Sequence, residues 1–190
     1  VINSSNDDLI IAPDIGKASD IYISNPFSNK DAEIFGYKGT LEVSGNMSVN
    51  IVLQRLYSQV KVEFTDQDLS AVKKIVFNQL HEPFFYSPFA TGLLNPILDQ
   101  SAIEIEDDFQ SNKQVIFNQF MGLLNENKPV NYILNVIGDA GVLQSFELSS
   151  SLKNNIQLDF RGNLLEGAPN NVAFKITKNE NWDGENEVSF

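Results

Sequence analysis

Three groups of side chains carry the chemistry open to this sequence: the single histidine, His81; the carboxylates Glu104, Glu106, Asp107 and Asp108; and the acidic run Asp183-Gly184-Glu185-Asn186-Glu187. A histidine works as a general base when a carboxylate orients its ring and an activated hydroxyl lies within reach. No G-x-S-x-G turn is present to offer such a serine. His81 stands beside Glu82-Pro83 at a strand end, where a solvated polar residue is ordinary. Glu104 and Glu106 are two apart, so on a strand they share a face. Glycosidases place their two carboxyl groups across a cleft, whereas a solvated strand face accounts for these. The run 183–187 holds a fragment of a calcium loop without its full alternation of oxygen ligands and closing glutamate. A turn between strands explains it equally well. No phosphate-binding glycine loop is present. We therefore assign no catalytic, cofactor-binding or metal-binding residue and expect a protein that is not an enzyme and uses no cofactor.

The elements that would position these residues are strands. In the stretch 48–65, Val60, Val62 and Phe64 point one way while Gln59, Lys61, Glu63 and Thr65 point the other, the period-two mark of a strand with one buried face. Val49, Ile51 and Leu53 alternate upstream, and the phase shifts near Arg55-Leu56-Tyr57, which predicts a bulge or a crossing between sheets. Further strands are expected at 21–24, 40–43, 73–80, 102–106, 114–120, 131–137, 142–148, 156–160, 172–176 and 187–190, with at most one helical turn at 69–74. Turn signals separate them, and Gly138-Asp139-Ala140-Gly141 joins the clearest hairpin. Short strands spaced by polar turns predict an all-β fold, an antiparallel two-layer β-sandwich.

Composition narrows the class further. Of 190 residues, 42% are apolar and 14 are Phe, enough for a substantial core. The formal charge of −12 repels polyanions, so neither nucleic acid nor anionic lipid suits as a partner. The absence of Cys excludes a disulfide framework, a thiolate metal site and a cysteine nucleophile. No apolar run approaches the roughly 18 residues of a membrane helix. The start Val1-Ile2-Asn3-Ser4-Ser5 has neither Met nor a leader pattern, as expected of a processed or trimmed chain.

One segment breaks the alternation. Residues 82–98 (EPFFYSPFATGLLNPIL) hold three prolines and eight large apolar or aromatic side chains. Such a segment either folds back to plug the sandwich with Phe84, Phe85 and Phe89, or forms a contact surface. Phe84, Phe85, Tyr86 and Phe89 are the partner-contact candidates.

Two regions resemble a known family. The first runs S-V-N-I-V-L-Q-R-L-Y-S-Q-V-K-V-E-F over 48–64, with Arg55 and the small Ser58 as anchors, followed by V-K-K-I-V-F-N-Q-L over 72–80. The second is N-I-Q-L-D-F-R-G-N-L at 155–164, N-V-A-F-K-I at 171–176 and N-W-D-G at 181–184. Together they resemble the C-terminal domain of the fimbrillin superfamily, the fimbrial subunits and fimbrial anchor proteins of Gram-negative gut and oral bacteria. The resemblance covers about two thirds of the chain and includes no catalytic motif. It implies a transthyretin-like sandwich at 46–190, preceded at 1–45 by the end strands of a partly missing N-terminal domain or an appendage. It also implies export as a lipoprotein, with a cell-surface location at the outer membrane through a lipid anchor not present in this chain. The function so implied is that of a pilus (fimbrium) subunit, an anchor, tip or accessory one, acting in assembly and adhesion through β-strand contacts. Its partners would be other fimbrial subunits, with host or bacterial surface proteins or glycans beyond them. The alternative is a carbohydrate-binding surface module using Trp182, Tyr57, Tyr86 and Tyr132, which predicts two or more of those rings exposed on one face.

Overall fold

A computed structural model describes residues 2–4, 10–11, 16–89, 101–124, 126–165, 174–180 and 182. In chain order the described strands are β1 (Ile2–Ser4), β2 (Ile10–Ile11), β3 (Ile23–Ser24), β4 (Ile34–Gly36), β5 (Gln54–Arg55), β6 (Tyr57–Phe64), β7 (Lys74–Gln79), β8 (Ile103–Glu106), β9 (Gln114–Phe120), β10 (Lys128–Gly138), β11 (Gly141–Leu152), β12 (Gln157–Gly162) and β13 (Lys175–Asn179). The only helix among the described residues is a 3-10 turn at Ala18–Asp20. The chain is all-β.

Two four-stranded sheets form the sandwich, in the orders β11-β10-β7-β8 and β13-β12-β6-β9. The alternation of β6 buries Val60, Val62 and Phe64, and that of β10 buries Val130, Tyr132, Leu134 and Val136. These side chains meet in one core. Phe117 on β9 joins the layers, with ring centroids 5.1 Å from Phe77 on β7 and 5.6 Å from Tyr132 on β10. Fully burying one such ring stabilises the fold by about 1.5–3 kcal/mol, so the cross-layer aromatics outweigh the surface ion pairs. Phe27 stacks on Tyr132 at 5.8 Å, which brings the N-terminal part of the chain into the same core.

The β10–β11 hairpin forms as expected, and Gly138 pairs with Gly141 across Asp139-Ala140. Gly141 has φ +119, a conformation that favours glycine. The phase shift near Arg55 is a crossing between sheets. β5 pairs with β4 in a small sheet, and β6 begins two residues later in the sandwich. At the joint the buried Leu56 donates its N–H to the Ile34 carbonyl (2.8 Å) and accepts from the N–H groups of Met121 (2.7 Å) and Gly122 (2.9 Å). Ile23, Ala32, Ile34, Leu56 and Phe120 form a second, smaller core there.

Three features differ from expectation. First, β6 and β12 pair in parallel, whereas the other strand pairs of the sandwich are antiparallel. A parallel pair needs a crossover, and here the chain builds all four strands of the opposite sheet between its two members. Second, residues 40–43 and 49–53 form no strand, and much of this stretch is exposed. Alternation gives a segment the capacity to pair, but no described neighbour meets it. Third, 69–74 contains a hydrogen-bonded turn (Val72 N–H to Leu69 O, 2.9 Å) and no helix. The strand expected at 187–190 lies outside the described residues, as do the first residues of the one expected at 172–176.

Candidate functional site

The two anchors singled out in sequence, Arg55 and Trp182, meet. The Arg55 guanidinium carbon lies 4.6 Å from the Trp182 ring centroid, a cation–π geometry. The crossing between β5 and β6 holds Arg55 in place. Its Nη1 donates to the Asn155 side-chain oxygen (3.0 Å), and its carbonyl accepts from the Asn154 side-chain amide (3.2 Å). Asn155 has φ +63, a left-handed turn that asparagine tolerates. Tyr57 turns its edge to Trp182 at 5.8 Å and in turn meets Phe35 at 5.9 Å. This cluster ties the residue at 182 to the crossing. The sequence marks both ends, Arg55 and Trp182, but not that they meet, and it gives no sign that Asn154 and Asn155 support Arg55.

Two polar clasps hold the strands that carry this cluster. Ser58, buried on β6, donates to the Lys153 carbonyl (2.5 Å) and accepts from the Ile156 N–H (3.0 Å). A small hydroxyl is therefore needed at that position. At the far end of β6, buried Asp66 accepts the N–H groups of Leu164 and Leu165, both at 2.7 Å. Neither clasp presents a reactive group to solvent.

The loop after β7 is fastened over the smaller core. Ile23 and Tyr86 exchange backbone hydrogen bonds of 2.8 Å in each direction. Ser24 donates to the Phe84 carbonyl (3.1 Å), and Ser87 to that of Ile21 (2.8 Å). Phe84 is half-buried against both cores, and Tyr86 against the smaller one. Phe85 meets Tyr22 edge-on at 6.3 Å, and Phe89 is 57% exposed. The four contact candidates thus divide: Phe84 and Tyr86 plug, Phe85 packs locally, and Phe89 faces outward. Gly122 has φ +65, and a Cβ there would approach the Tyr86 Cβ to 3.1 Å, so any other residue beneath the plug would be strained. Residues 90–98 of this segment lie outside the described residues.

His81 is built into the same region. Its Nδ1 accepts the Asn131 N–H (3.0 Å), while its ring lies 5.2 Å from Phe84 and 5.3 Å from Tyr132. Burial holds its pKa below the usual imidazole range, partly offset by the Asn131 carbonyl, which lies 3.1 Å from Nδ1 and accepts from the protonated ring. Glu104 and Glu106 flank Lys74 at 2.6 and 3.6 Å, so both carboxylates are engaged in one ion-pair group on an exposed strand face. That group raises the Lys74 pKa, chiefly through the hydrogen bond to Glu104. Asp108 caps its own turn by accepting from Ser111 Oγ (2.6 Å), which lowers its pKa. The fragment 183–187 lies outside the described residues. Of the four candidate sugar platforms, Tyr57 and Tyr132 are buried, and burial pushes the Tyr132 phenol far up. Trp182 is covered on one face by Arg55. These rings do not make one exposed face.

Together, the fold and these contacts define an all-β sandwich whose described polar groups serve structure. No protein-family model and no curated protein sequence matches the chain. Among solved structures it is similar to the tip fimbrial protein Mfa3 of Porphyromonas gingivalis with a C-terminal truncation, at 11% identity over 84% of this chain and 70% of that one, TM-score 0.47. It is similar to a candidate cell adhesion protein of Bacteroides uniformis at 10% identity over 94% and 90%, TM-score 0.44. It is also similar to a candidate adhesin of Bacteroides ovatus at 12% identity over 79% and 62%, TM-score 0.44. By their names, these neighbours are fimbrial and adhesion proteins.

Proposed function

We propose that this protein is a cell-surface fimbrial subunit, of the anchor, tip or accessory kind, that works by docking β-strands with other subunits of its fibre. The observation that carries the reading is β11. It is twelve residues long, and among the described residues it pairs only with β10. An unpaired edge offers a row of N–H and C=O groups to an extended segment of another chain. Soluble proteins blunt such edges with Lys, Pro or short strands. The edge strand here has no Lys or Pro and a single charge, Glu147. Ser145, Glu147 and Ser149 stand exposed along it. The occupant in this reading is an extended strand of a neighbouring fibre subunit.

The same reading treats residues 1–45 as an appendage to a sandwich beginning near residue 46, attached through Phe27 in the core. It places the protein at the outer membrane, held by a lipid anchor outside this sequence. Exposed Phe89 is the remaining contact candidate of the loop after β7.

The test is the composition of fibres sheared from cells that express the protein. Wild type is expected in the sheared fraction. Ser145→Lys/Ser149→Lys, which places two charges on the open edge, is expected to fold normally and to be lost from it. Retention of the folded double variant in the fibres at the wild-type level would remove β11 from the account.

A further inference from the structure

β13 is the edge strand of its sheet, and its inward side chains stand in water. The register of β12 with β13 sets Ile176 beside Phe160 and Lys178 beside Leu158. Residues directly opposite on neighbouring strands share a face. Phe160 and Leu158 are 1% and 0% exposed in the core, so Ile176 and Lys178 point to the inner side of their sheet. Yet Ile176 is 46% exposed, and Lys178 is exposed as well. An apolar side chain aimed into a sandwich and left in solvent marks the place where the facing layer stops short.

The facing layer stops at β11. Phe146 of β11, inward beside Leu134, meets Phe174 edge-on at 5.5 Å, just before β13 begins. Near the other end of β13, Lys178 Nζ donates to Ser151 Oγ of β11 at 2.7 Å. β11 and β13 therefore run alongside each other and frame a slot, with Ile176 between its two ends. At the opposite side of the sandwich, Phe117 of edge strand β9 lies against Phe77 of β7 and Tyr132 of β10, the two central strands of the facing sheet. The two layers are thus out of step, and β13 extends past β11.

We propose that the strand docked on β11 sets an apolar side chain on Ile176 and, two residues along, a carboxylate on Lys178, so the partner segment is apolar and acidic at alternate positions. This rests on the reading of β11 as the docking edge and adds the chemistry of the partner. A strand paired to β11 lies about 4.8 Å beyond it, in the layer that faces β13 at about 10 Å. Its inward side chains recur with period two, as Ile176 and Lys178 do. Charge selects the second of them. Glu180 is engaged by Lys153 at 3.8 Å, whereas the ammonium of Lys178 is held among the described residues by the neutral Ser151 hydroxyl. A strand laid over that ammonium strips water from it, and a carboxylate offsets the loss where an apolar or basic side chain does not. An inward charge on an edge strand also rejects segments of the wrong pattern.

Fluorescence anisotropy of two labelled peptides on the whole chain tests it. Each is roughly ten residues long and alternates Thr with Val, the central Val replaced by Glu in one and by Lys in the other. Wild type is expected to bind the Glu peptide about fivefold tighter, one favourable charge pair set against one like-charge pair. Lys178→Glu is expected to reverse that order, and Lys178→Arg to keep it. Ile176→Ser, at an exposed position, is expected to weaken both peptides about fivefold with an unchanged circular dichroism spectrum, and Ile176→Val to recover most of the loss. Equal affinities on wild type, or an order that Lys178→Glu leaves in place, would overturn the proposal. So would no binding of either peptide up to about 1 mM. The chain has no cysteine, so Ile176→Cys/Val188→Cys reports whether its own end fills the slot. Rapid disulfide closure at high dilution would make that end the occupant and overturn the proposal; no closure is expected. The β11 edge is judged separately: if Ser145→Lys/Ser149→Lys is lost from sheared fibres while the peptides are not discriminated, the edge stands and only the partner chemistry falls.

Discussion

Removing the Arg55 charge while keeping most of its length, as in Arg55→Met, tests whether the contact with Trp182 holds the C-terminal part of the chain on the sandwich. The guanidinium sits 4.6 Å from the indole centroid and also donates to Asn155 at 3.0 Å. A partly buried cation–π pair contributes about 0.5–2 kcal/mol, and a hydrogen bond from a charged donor about 1.5–3 kcal/mol. The two single variants therefore lose different things. Arg55→Met loses both interactions, and Trp182→Leu loses the first together with the edge contact to Tyr57. Urea unfolding of wild type, both singles and the double isolates the shared term. We expect a coupling of about 0.5–1.5 kcal/mol between the two positions. Trp182 is the only tryptophan, so its emission reports the same event without ambiguity. In Arg55→Met the indole is expected to become more accessible to acrylamide while the far-ultraviolet spectrum is unchanged. A coupling indistinguishable from zero, with unchanged quenching, would refute the claim that this contact fastens the chain at 182.

Four further outcomes follow from the described contacts. Asp66→Ala orphans the N–H groups of Leu164 and Leu165 and is expected to cost about 2–4 kcal/mol in urea unfolding, with Asp66→Asn losing roughly half as much. Phe117→Ala removes the ring shared by Phe27, Phe77 and Tyr132 and is expected to cost about 3–5 kcal/mol, read from the thermal midpoint. Gly122→Ala, strained by its φ and its approach to Tyr86, is expected to lower the thermal midpoint by several degrees, since about 1 kcal/mol is worth roughly 2–4 °C in a chain of this size. His81 has its folded pKa below the unfolded value, so the unfolded chain binds the extra proton. Its contribution is fully present above about pH 6.5 and is lost as the pH falls towards the folded pKa. A urea midpoint series from neutral to mildly acidic pH should show this loss in wild type and a shallower one in His81→Gln.

Much of the fold is legible in the chain because burial on one face writes itself as alternation. The strand expected at 114–120 is β9 residue for residue, and the hairpin around Asp139-Ala140 forms where glycines flank it. The phase shift at Arg55-Leu56-Tyr57 is the crossing between sheets. Pairing partners are a different matter, because alternation states which side is buried and is silent on which strand lies alongside. Hence alternation does not announce the parallel contact of β6 with β12, and 40–43 and 49–53 alternate like strands although no described partner meets them. The candidate site was legible only in fragments. Arg55, Ser58 and Trp182 stood out as residue types at notable places, but a cation–π contact between positions so far apart depends on the topology. Phe84 and Phe89 have the same side chain in the same loop. Only the fastening of Ile21, Ile23 and Ser24 to that loop decides that one plugs and the other faces solvent.

The central claim, that this sandwich acts by giving strand edges to other subunits, is tested most directly by photo-crosslinking on living cells. A benzophenone side chain placed at Ser145 on the open edge of β11 is expected to yield an adduct with another subunit of the same surface fibre. The same group at Ile116, half-exposed on β9 of the other sheet, is expected to yield none. No adduct from position 145, or equal adducts from both positions, would contradict the account.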